Sequence, residues 1–206
     1  MRSLCSFAAK TYPVSEDQII LASASPRRRE LLSGMGVRFE VVTADVREHD
    51  AESSPHLAPA DLARENARRK AQAVAALQPG RWVLGADTVV ALEKRVLGKP
   101  DSVEQARHFL VVLSGQTHEV ITGCALIAPN GEAEIFHEIS RVTFHVLTGD
   151  AVARYLAEVA VLDKAGAYAL QERGEWIIER VEGSRANVIG LPTEALERVF
   201  KKRGLL

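Results

Sequence analysis

The hydrophobic positions of the chain form two patterns, short apolar runs and longer segments whose apolar residues recur three and four positions apart. The run Ile19–Leu21 stops at Ser-Ala-Ser-Pro, which predicts a buried strand, a tight loop and a helix over 26–34. A stripe of alanines and a valine at helical spacing predicts a long helix over 59–77. Further strands are predicted at 38–43, 82–86, 89–91, 117–128, 132–146 and 176–181, and further helices at 103–113, 149–158 and 193–202.

This mixture of helices, isolated strands and a long hairpin predicts an α/β fold with a mixed central sheet flanked by helices. The hairpin turn is marked by Asn130-Gly131, a specific two-residue turn signal between extended segments. A chain of 206 residues is long enough to bury a proper core. We expect a single domain over 18–206, with two lobes around a cleft, preceded by an N-terminal extension over 1–17.

Composition narrows the classes of function. The chain is 47% hydrophobic and 26% charged with a formal net charge of −1, so nothing attracts it globally to nucleic acid or a membrane surface. Cys5 and Cys124 lack the spacing of a metal site and are expected to be reduced thiols. Residues 1–17 carry too short an apolar patch for a signal peptide, and no window approaches the roughly 20 apolar residues of a membrane span. We therefore expect a cytoplasmic protein that binds neither nucleic acid nor membranes.

The loop between the first strand and the first helix carries the strongest chemical signal. Ser25 suits the N-cap and Pro26 the first helical position. Arg27, Arg28 and the arginine after them place cations where the helix dipole is already positive. A solvated basic turn would explain an isolated run of arginines. With backbone N–H groups and the Ser23 and Ser25 hydroxyls beside them, the run instead predicts a phosphate-binding site.

Charged residues at the ends of other elements complete the set. Asp87 falls between two predicted strand segments and must be paired or metal-bound if it is buried. Glu48 lies in a long acidic loop, and loops of that length are often functional. Lys70 falls on the apolar stripe of the long helix, where a lysine ordinarily extends to solvent, and Lys99 follows the 92–97 turn. The neutral hydrogen-bonding groups expected with them are Thr88, Gln171 and Asn187.

Phosphoryl chemistry uses this combination of groups. Cations neutralise phosphate oxygens, carboxylates bind Mg²⁺ or Mn²⁺, and an acid can act as general base to a water. The sequence contains no nucleophile elbow, no P-loop and no HExxH motif. Each residue alone is also typical of an ordinary turn, loop or helix surface, so the prediction requires that they meet in one cleft.

These residues lie in longer stretches that resemble the Maf-like nucleoside triphosphate pyrophosphatases. The matching motifs, in the family's order, are ASASPRRRELL (Ala22–Leu32), GADTVV (Gly85–Val90), GKP (Gly98–Pro100), LSGQTHEVITG (Leu113–Gly123), DKAGAYALQ (Asp163–Gln171) and GSRANVIGLP (Gly183–Pro192). The resemblance implies hydrolysis of a nucleoside triphosphate to the monophosphate and pyrophosphate with a divalent metal. It also implies a Maf/ITPase-like fold around a central cleft, and a cytoplasmic homodimer.

The same resemblance implies roles by position. Asp87 matches the family's proton acceptor, and Arg27, Thr88 and Gln171 match its specificity positions. The segment that ends at Gln171 resembles the branch acting on dTTP and UTP, and a terminal amide offers a pyrimidine edge both a donor and an acceptor. The further polar cleft residues of the family match Ser23, Arg28, Glu48, Lys70 and Lys99, with Glu48 as a metal ligand.

The resulting hypothesis is a pyrophosphatase that removes unwanted dTTP, UTP or modified pyrimidine nucleotides. Glu48 and Asp87 would hold the metal, Asp87 would deprotonate a water that attacks the α-phosphorus, and nearby cations would offset charge on the leaving pyrophosphate. The cations assigned to this task are Arg27, Arg28, Lys70 and Lys99. The alternatives are a pyrophosphatase for 7-methyl-GTP or non-canonical purine triphosphates, and a nucleotide-binding regulator of cell division that does not hydrolyse.

Overall fold

A computed structural model describes residues 18–50 and 52–206. The extension predicted over 1–17, which includes Cys5, lies outside the described residues. Within the described residues, seven strands form one mixed sheet in the order β2-β1-β3-β5-β6-β7, and β4 also pairs with β3. The strands are β1 (Ile19–Leu21), β2 (Phe39–Val41), β3 (Val83–Leu92), β4 (Arg95–Leu97), β5 (Thr117–Ile127), β6 (Ala133–Phe144) and β7 (Ile178–Glu182).

Six α-helices accompany the sheet in the part of the chain that the structure describes. They are α1 (Pro26–Gly34), α2 (Pro59–Leu77), α3 (Val103–Leu113), α4 (Gly149–Glu158), α5 (Arg185–Ile189) and α6 (Thr193–Arg203). β1 runs parallel to β2 and β3, whereas the β3–β4, β3–β5, β5–β6 and β6–β7 pairs are antiparallel. The prediction of an α/β fold with a mixed central sheet and flanking helices is therefore confirmed.

The core lies on both faces of the sheet. On one face α2 packs its small residues, including Ala67 and Ala71, against β1, β3 and β5. On the other face, Leu32 of α1 and Phe200 of α6 belong to one cluster. A second cluster at the other end of that face includes Leu110 of α3 and Tyr155 of α4.

Two glycines allow α2 to approach the sheet closely. A Cβ added to Gly85 of β3 would overlap the Ala67 carbonyl oxygen and lie 2.8 Å from the Ala71 backbone nitrogen. A Cβ on Gly123 of β5 would overlap the backbone of Ala63. Because neither strand has a side chain at these points, polar residues of α2 can reach groups on β3.

The structure agrees with the sequence for α1 to α4 and differs at two places that shape the site. The two segments predicted at 82–86 and 89–91 are one continuous strand, β3 (Val83–Leu92), because the carboxylate of Asp87 is paired and can therefore occupy a buried strand position. The glycine-rich stretch 183–192, which by its composition is predicted to be a loop, contains a short helix, α5. The hydroxyl of Ser184 caps this helix and accepts from the Asn187 N–H at 3.2 Å. No helix among the described residues has the length and apolar character needed to cross a membrane.

Candidate active site

The cleft opens where the pairing along one edge of β3 is interrupted. β1 pairs with the beginning of β3 through Leu21 and Leu84, and β4 pairs with its end through Leu97 and Val90. Among the described residues, no strand pairs with positions 85–89 on that edge. A cavity of about 460 Å³ lies there, lined by α1, α5, the 163–171 segment and the loop that carries Glu48.

The gap allows both faces of one strand to contribute to the same cavity. Successive side chains of a strand point to opposite faces, so Asp87 points towards α2 and Thr88 towards α1. Asp87 contacts Lys70 of α2, and Thr88 accepts a hydrogen bond from Arg28 of α1 at 3.0 Å. All four of these residues line the cavity.

Helix α1 begins as its sequence predicts, and its second arginine joins three parts of the fold. The Ser25 Oγ accepts from the Arg28 backbone N–H at 3.4 Å. The Arg28 guanidinium donates to the Gly190 carbonyl oxygen at 2.8 Å and to the Ser23 Oγ at 3.1 Å, besides its bond to Thr88. Burial lowers the pKa of Arg28, and the charge of nearby Asp87 opposes that shift. A guanidinium keeps its proton under such conditions, so Arg28 is a fixed cation in the cavity wall.

Arg27 spans the cavity mouth. Its Nη1 lies 3.3 Å from a carboxylate oxygen of Asp163, which is at the start of the opposite wall. The Asp163 side chain is 62% exposed, so water screens this pair and its contribution to stability is small. Arg27 is therefore held at the mouth by a contact that an incoming anion can replace.

A lysine and two carboxylates form the centre of the site. The Lys70 ammonium lies 2.6 Å from the Oδ1 of Asp87 and 2.9 Å from the Oε1 of Glu48. Burial by itself raises the pKa of Glu48, but its ion pair with Lys70 and the charges of Lys99 and Arg28 outweigh burial, so the pKa lies below its ordinary value. Both carboxylates are thus held together by one cation.

Asn66 is a residue of this centre that sequence reasoning missed. It is 2% exposed, and its Nδ2 donates to the Oδ2 of Asp87 at 3.2 Å and to the His49 carbonyl oxygen at 2.9 Å. Its Oδ1 accepts from the His49 N–H at 2.8 Å. The available signal was its position one helical turn before Lys70, which puts both side chains on one face of α2.

Lys99 and the 163–171 segment form the far wall. Lys99 lines the cavity directly after Gly98, whose carbonyl oxygen accepts from the Gly166 N–H at 3.0 Å. Gln171 lines the cavity and is exposed. The hydrogen bond between Gly166 and Gly98 therefore connects the turn that carries Lys99 to the segment that carries Gln171.

Lys164 is a second residue that the sequence reasoning missed. It is 5% exposed and lines the cavity, with its ammonium 2.8 Å from the Asp163 carboxylate and 3.3 Å from the Glu172 carboxylate. The Tyr155 hydroxyl accepts from the Ala169 N–H at 3.0 Å in the same segment. These contacts fix the backbone on either side of Gln171.

Of the predicted site residues, the structure leaves only Asn187 outside the cavity lining. The cavity brings together Ser23, Ser25, Arg27, Arg28, Glu48, Lys70, Asp87, Thr88, Lys99 and Gln171. Asn187 is fully buried, and its Nδ2 donates to the Val120 carbonyl oxygen and the Ser140 Oγ, both at 3.0 Å. It braces α5 against β5 and β6, because the cap of α5 turns its side chain into the sheet.

Comparisons with known proteins show which proteins the chain is similar to. The sequence profile of the family described as Maf-like protein matches residues 18–203. The chain is 44% identical over 190 residues to the dTTP/UTP pyrophosphatase of Nitratidesulfovibrio vulgaris, covering 91% of this chain and 89% of that protein. It is also 44% identical over 189 residues to the dTTP/UTP pyrophosphatase of Myxococcus xanthus, covering 91% and 93%.

A solved structure supports the fold independently. The Staphylococcus aureus Ham1 protein matches with a TM-score of 0.55 over 90% of this chain and 99% of that chain. The sequence identity is 16%, so the likeness concerns the arrangement of the strands and helices alone.

Proposed function

The chain belongs to the Maf-like protein family, and from that premise we propose that it hydrolyses dTTP and UTP to the monophosphate and pyrophosphate. Two relatives at 44% identity bear the name dTTP/UTP pyrophosphatase. The observation that carries the proposal is the joining of Asp87 and Glu48 by Lys70 inside a cavity that arginines also line. Such an enzyme would remove unwanted pyrimidine nucleotides from the cell's pool.

The cations of the cavity suit a triphosphate. A guanidinium has five N–H donors, and Arg28 uses three of them on Gly190, Ser23 and Thr88. The remaining two are available to phosphate oxygens, and Arg27 can exchange Asp163 for the same purpose. Together with Lys70 and Lys99, these groups would offset the charge that builds on the leaving pyrophosphate.

The apolar part of the cavity lining suits a base. Val90, Val120, Tyr168 and Val188 contribute apolar surface, and Gln171 lines the same cavity. A base stacks or packs on such a surface, while the amide of Gln171 can donate to one atom of a pyrimidine edge and accept from another. We propose that this amide selects the pyrimidine.

Asp87 is proposed to be the general base. It is 7% exposed, and Lys70 holds its Oδ1 at 2.6 Å. An ionised carboxylate accepts about four hydrogen bonds, so Asp87 keeps lone pairs for a water beside the α-phosphorus. Asp87 would orient this water and take its proton as the oxygen attacks and the bond to pyrophosphate breaks.

Glu48 and Asp87 are also proposed to hold the divalent metal, Mg²⁺ or Mn²⁺. Their two carboxylates converge on one ammonium, so the position between them stabilises positive charge. Mg²⁺ commonly binds one or two carboxylates together with waters and substrate phosphates. No cluster of three or more His, Cys, Asp or Glu ligands occurs among the described residues, so the triphosphate and water would supply the other ligands. When bound, the metal would act as a Lewis acid on the phosphate oxygens.

A panel of nucleoside triphosphates tests the reaction and the substrate together. Pyrophosphate release is measured with dTTP, UTP, 7-methyl-GTP, dITP and the common purine triphosphates, with Mg²⁺ or Mn²⁺ and after chelation. We expect turnover of dTTP and UTP that requires the metal. Preference for 7-methyl-GTP or a purine would contradict the substrate, and tight binding without pyrophosphate release would instead support a regulator.

The Gln171→Ala variant isolates the selection step. It should raise the KM for dTTP and UTP while leaving hydrolysis of other triphosphates unchanged.

The resemblance further implies a cytoplasmic homodimer. Light scattering of the purified protein tests the oligomeric state.

A further inference from the structure

Asn66 makes more contacts at the centre of the site than any role in packing requires. It is buried in α2, one turn before Lys70, and its amide touches two separate parts of the chain. One is the backbone of His49, in the loop that carries Glu48, and the other is the carboxylate of Asp87 on β3. Asn66 is therefore the point at which the loop, the helix and the strand meet.

The hydrogen bonds leave the amide of Asn66 no freedom of orientation. A side-chain amide has two N–H donors and a carbonyl acceptor. The acceptor is engaged by the His49 N–H, one donor by the His49 carbonyl oxygen, and the other by the Oδ2 of Asp87. Rotating the amide by half a turn would face its N–H groups towards the His49 N–H, so this orientation is fixed.

The consequence for Asp87 is that both of its oxygens are held. Lys70 binds the Oδ1 and Asn66 binds the Oδ2, so the carboxylate cannot rotate about its Cβ–Cγ bond without losing a partner. Glu48 precedes His49 in the chain, so the same amide also fixes the backbone next to the second carboxylate. Asn66 itself is not among the residues that line the cavity.

We propose that Asn66 is a positioning residue that orients the Asp87 carboxylate and holds the Glu48 loop beside it. This inference rests on the proposed function, because it assigns Asn66 to the same two carboxylates. We expect the loss of Asn66 to affect the chemical step more than the binding of the nucleotide, since Asn66 itself does not line the cavity.

The test compares Asn66→Ala and Asn66→Ser with the wild-type protein. A single hydroxyl cannot span the two His49 backbone groups and Asp87, so both variants should lose the alignment. We expect kcat for dTTP to fall about 10- to 100-fold, the usual cost of removing a group that supports a catalytic one. KM should stay within about threefold, because substrate-binding groups are unchanged.

Ser140→Ala provides a matched control. Ser140 is 1% exposed, and its Oγ donates to the Ser184 carbonyl oxygen at 2.9 Å and accepts from Asn187, away from the cavity. This variant should lower the melting temperature, as the Asn66 variants do, but should keep the wild-type kcat. A loss of kcat in Ser140→Ala equal to that in Asn66→Ala would show that lost stability alone explains the effect, and would overturn the proposal.

Hydrogen exchange provides a readout that does not depend on activity. The His49 amide is protected by Asn66 in the wild-type protein, so its exchange should accelerate at least about tenfold in both variants if Asn66 holds the loop. Unchanged exchange, or wild-type kcat in folded Asn66 variants of an active enzyme, overturns the role of Asn66 alone. A wild-type protein that releases no pyrophosphate from any triphosphate overturns the proposed function instead, and this role with it.

Discussion

Two buried asparagines of the molecule have the same side chain and nearly the same exposure but opposite surroundings. Asn66, at 2% exposure, connects α2 to the His49 backbone and to the carboxylate of Asp87. Asn187, at 0% exposure, connects α5 to the backbone of β5 and to Ser140 of β6. One amide ends on a group that lines the cavity, and the other ends only on the scaffold.

The difference shows that a buried amide is informative through its partners rather than its type. All three hydrogen-bonding groups of Asn66 are engaged, and one partner is an acid in the cavity. The Oδ1 of Asn187 is buried without a hydrogen-bond partner among the described residues. Asn66 therefore belongs to the region around the cavity carboxylates, for which we propose the reaction, and Asn187 to the scaffold between α5 and the sheet.

The largest effect is expected at the acid that Asn66 touches. Asp87→Asn keeps the shape of the side chain but removes the base, so kcat should fall about 10²- to 10³-fold, as for other preorganised charges. The melting temperature should change little by comparison. Steady-state kinetics with dTTP, together with thermal unfolding, measures both. Near-normal turnover would remove Asp87 from the mechanism and Asn66 from the active region.

The next largest effect, a loss of stability, is expected at the contact between α2 and β3. Gly85→Ala places a methyl group 2.9 Å from the Ala71 Cβ and against the Ala67 carbonyl oxygen. We expect a loss of about 3 kcal/mol in the free energy of unfolding, because the clash involves backbone that must move, and a lower kcat as Asn66 shifts. Denaturant unfolding measures the loss. Gly34→Ala, whose added Cβ meets nothing within 4 Å, serves as the control and should be nearly neutral.

A change at Asn187 should separate the two regions most directly. Asn187→Ala removes the bonds to Val120 and Ser140 and leaves buried groups unpaired, so the free energy of unfolding should fall by about 2 kcal/mol. The kcat of the folded protein should remain within about twofold. A fall in kcat comparable to that of Asn66→Ala would mean that Asn187 also supports the reaction, and would contradict the proposed difference between the two asparagines.

Acid should weaken the scaffold region through the buried His118. Burial lowers the pKa of His118, whose Nε2 lies 2.8 Å from the Tyr168 hydroxyl, to about 4. The unfolded chain binds the proton at higher pH, near 6.5, so stability is complete above that pH and declines as the pH falls towards 4. Between pH 7 and 5 the loss should reach about 1–2 kcal/mol. His118→Gln should flatten this slope in unfolding measurements, and an unchanged slope would contradict it.

The smallest effect is expected at the cavity mouth. Asp163→Asn weakens the ion pairs of Asp163 with Arg27 and with Lys164. Because the Asp163 side chain is 62% exposed and Lys164 keeps its pair with Glu172, stability should change by less than about 1 kcal/mol. Because Arg27 then has less competition for phosphate, KM for dTTP should fall by about two- to threefold. Kinetics at low ionic strength makes the change measurable. A rise in KM would mean that Asp163 holds Arg27 in its binding position.

Much of the fold can be predicted because its signals are local. The start of α1 depends on Ser25 and Pro26, and that of α3 on Ser102, whose hydroxyl accepts from the Gln105 N–H at 3.1 Å. The continuous strand β3 could not be predicted in this way. Asp87 can lie within this strand because Asn66 and Lys70 of α2 pair with its carboxylate. The sequence around Asp87 contains no signal for these distant partners.

Site residues could be predicted where they lie in sequence motifs, and not where tertiary packing determines whether a side chain is buried. Most of the predicted residues lie in the motif stretches, and ten of the eleven line one cavity. Asn66 was missed because a polar residue within an amphipathic helix is usually exposed, and only tertiary contacts reveal that this one is buried. Asn187 was included because a glycine-rich stretch usually forms a loop, whereas here it begins a helix. The roles assigned to these residues remain predictions.

Because the pairing along one edge of β3 is interrupted, the geometry of the cavity depends on the number of residues in that strand. Asp87 points towards α2 and Thr88 towards α1 because successive side chains of a strand point to opposite faces of the sheet. Adding one residue between Val83 and Asp87 would reverse these directions. The Asp87 carboxylate would then point towards the arginines of α1, and the Thr88 hydroxyl would point towards Lys70 of α2. The two-residue turn at Glu93-Lys94, beyond both, carries no such constraint. Length variation should therefore be tolerated after the strand and excluded within its first half.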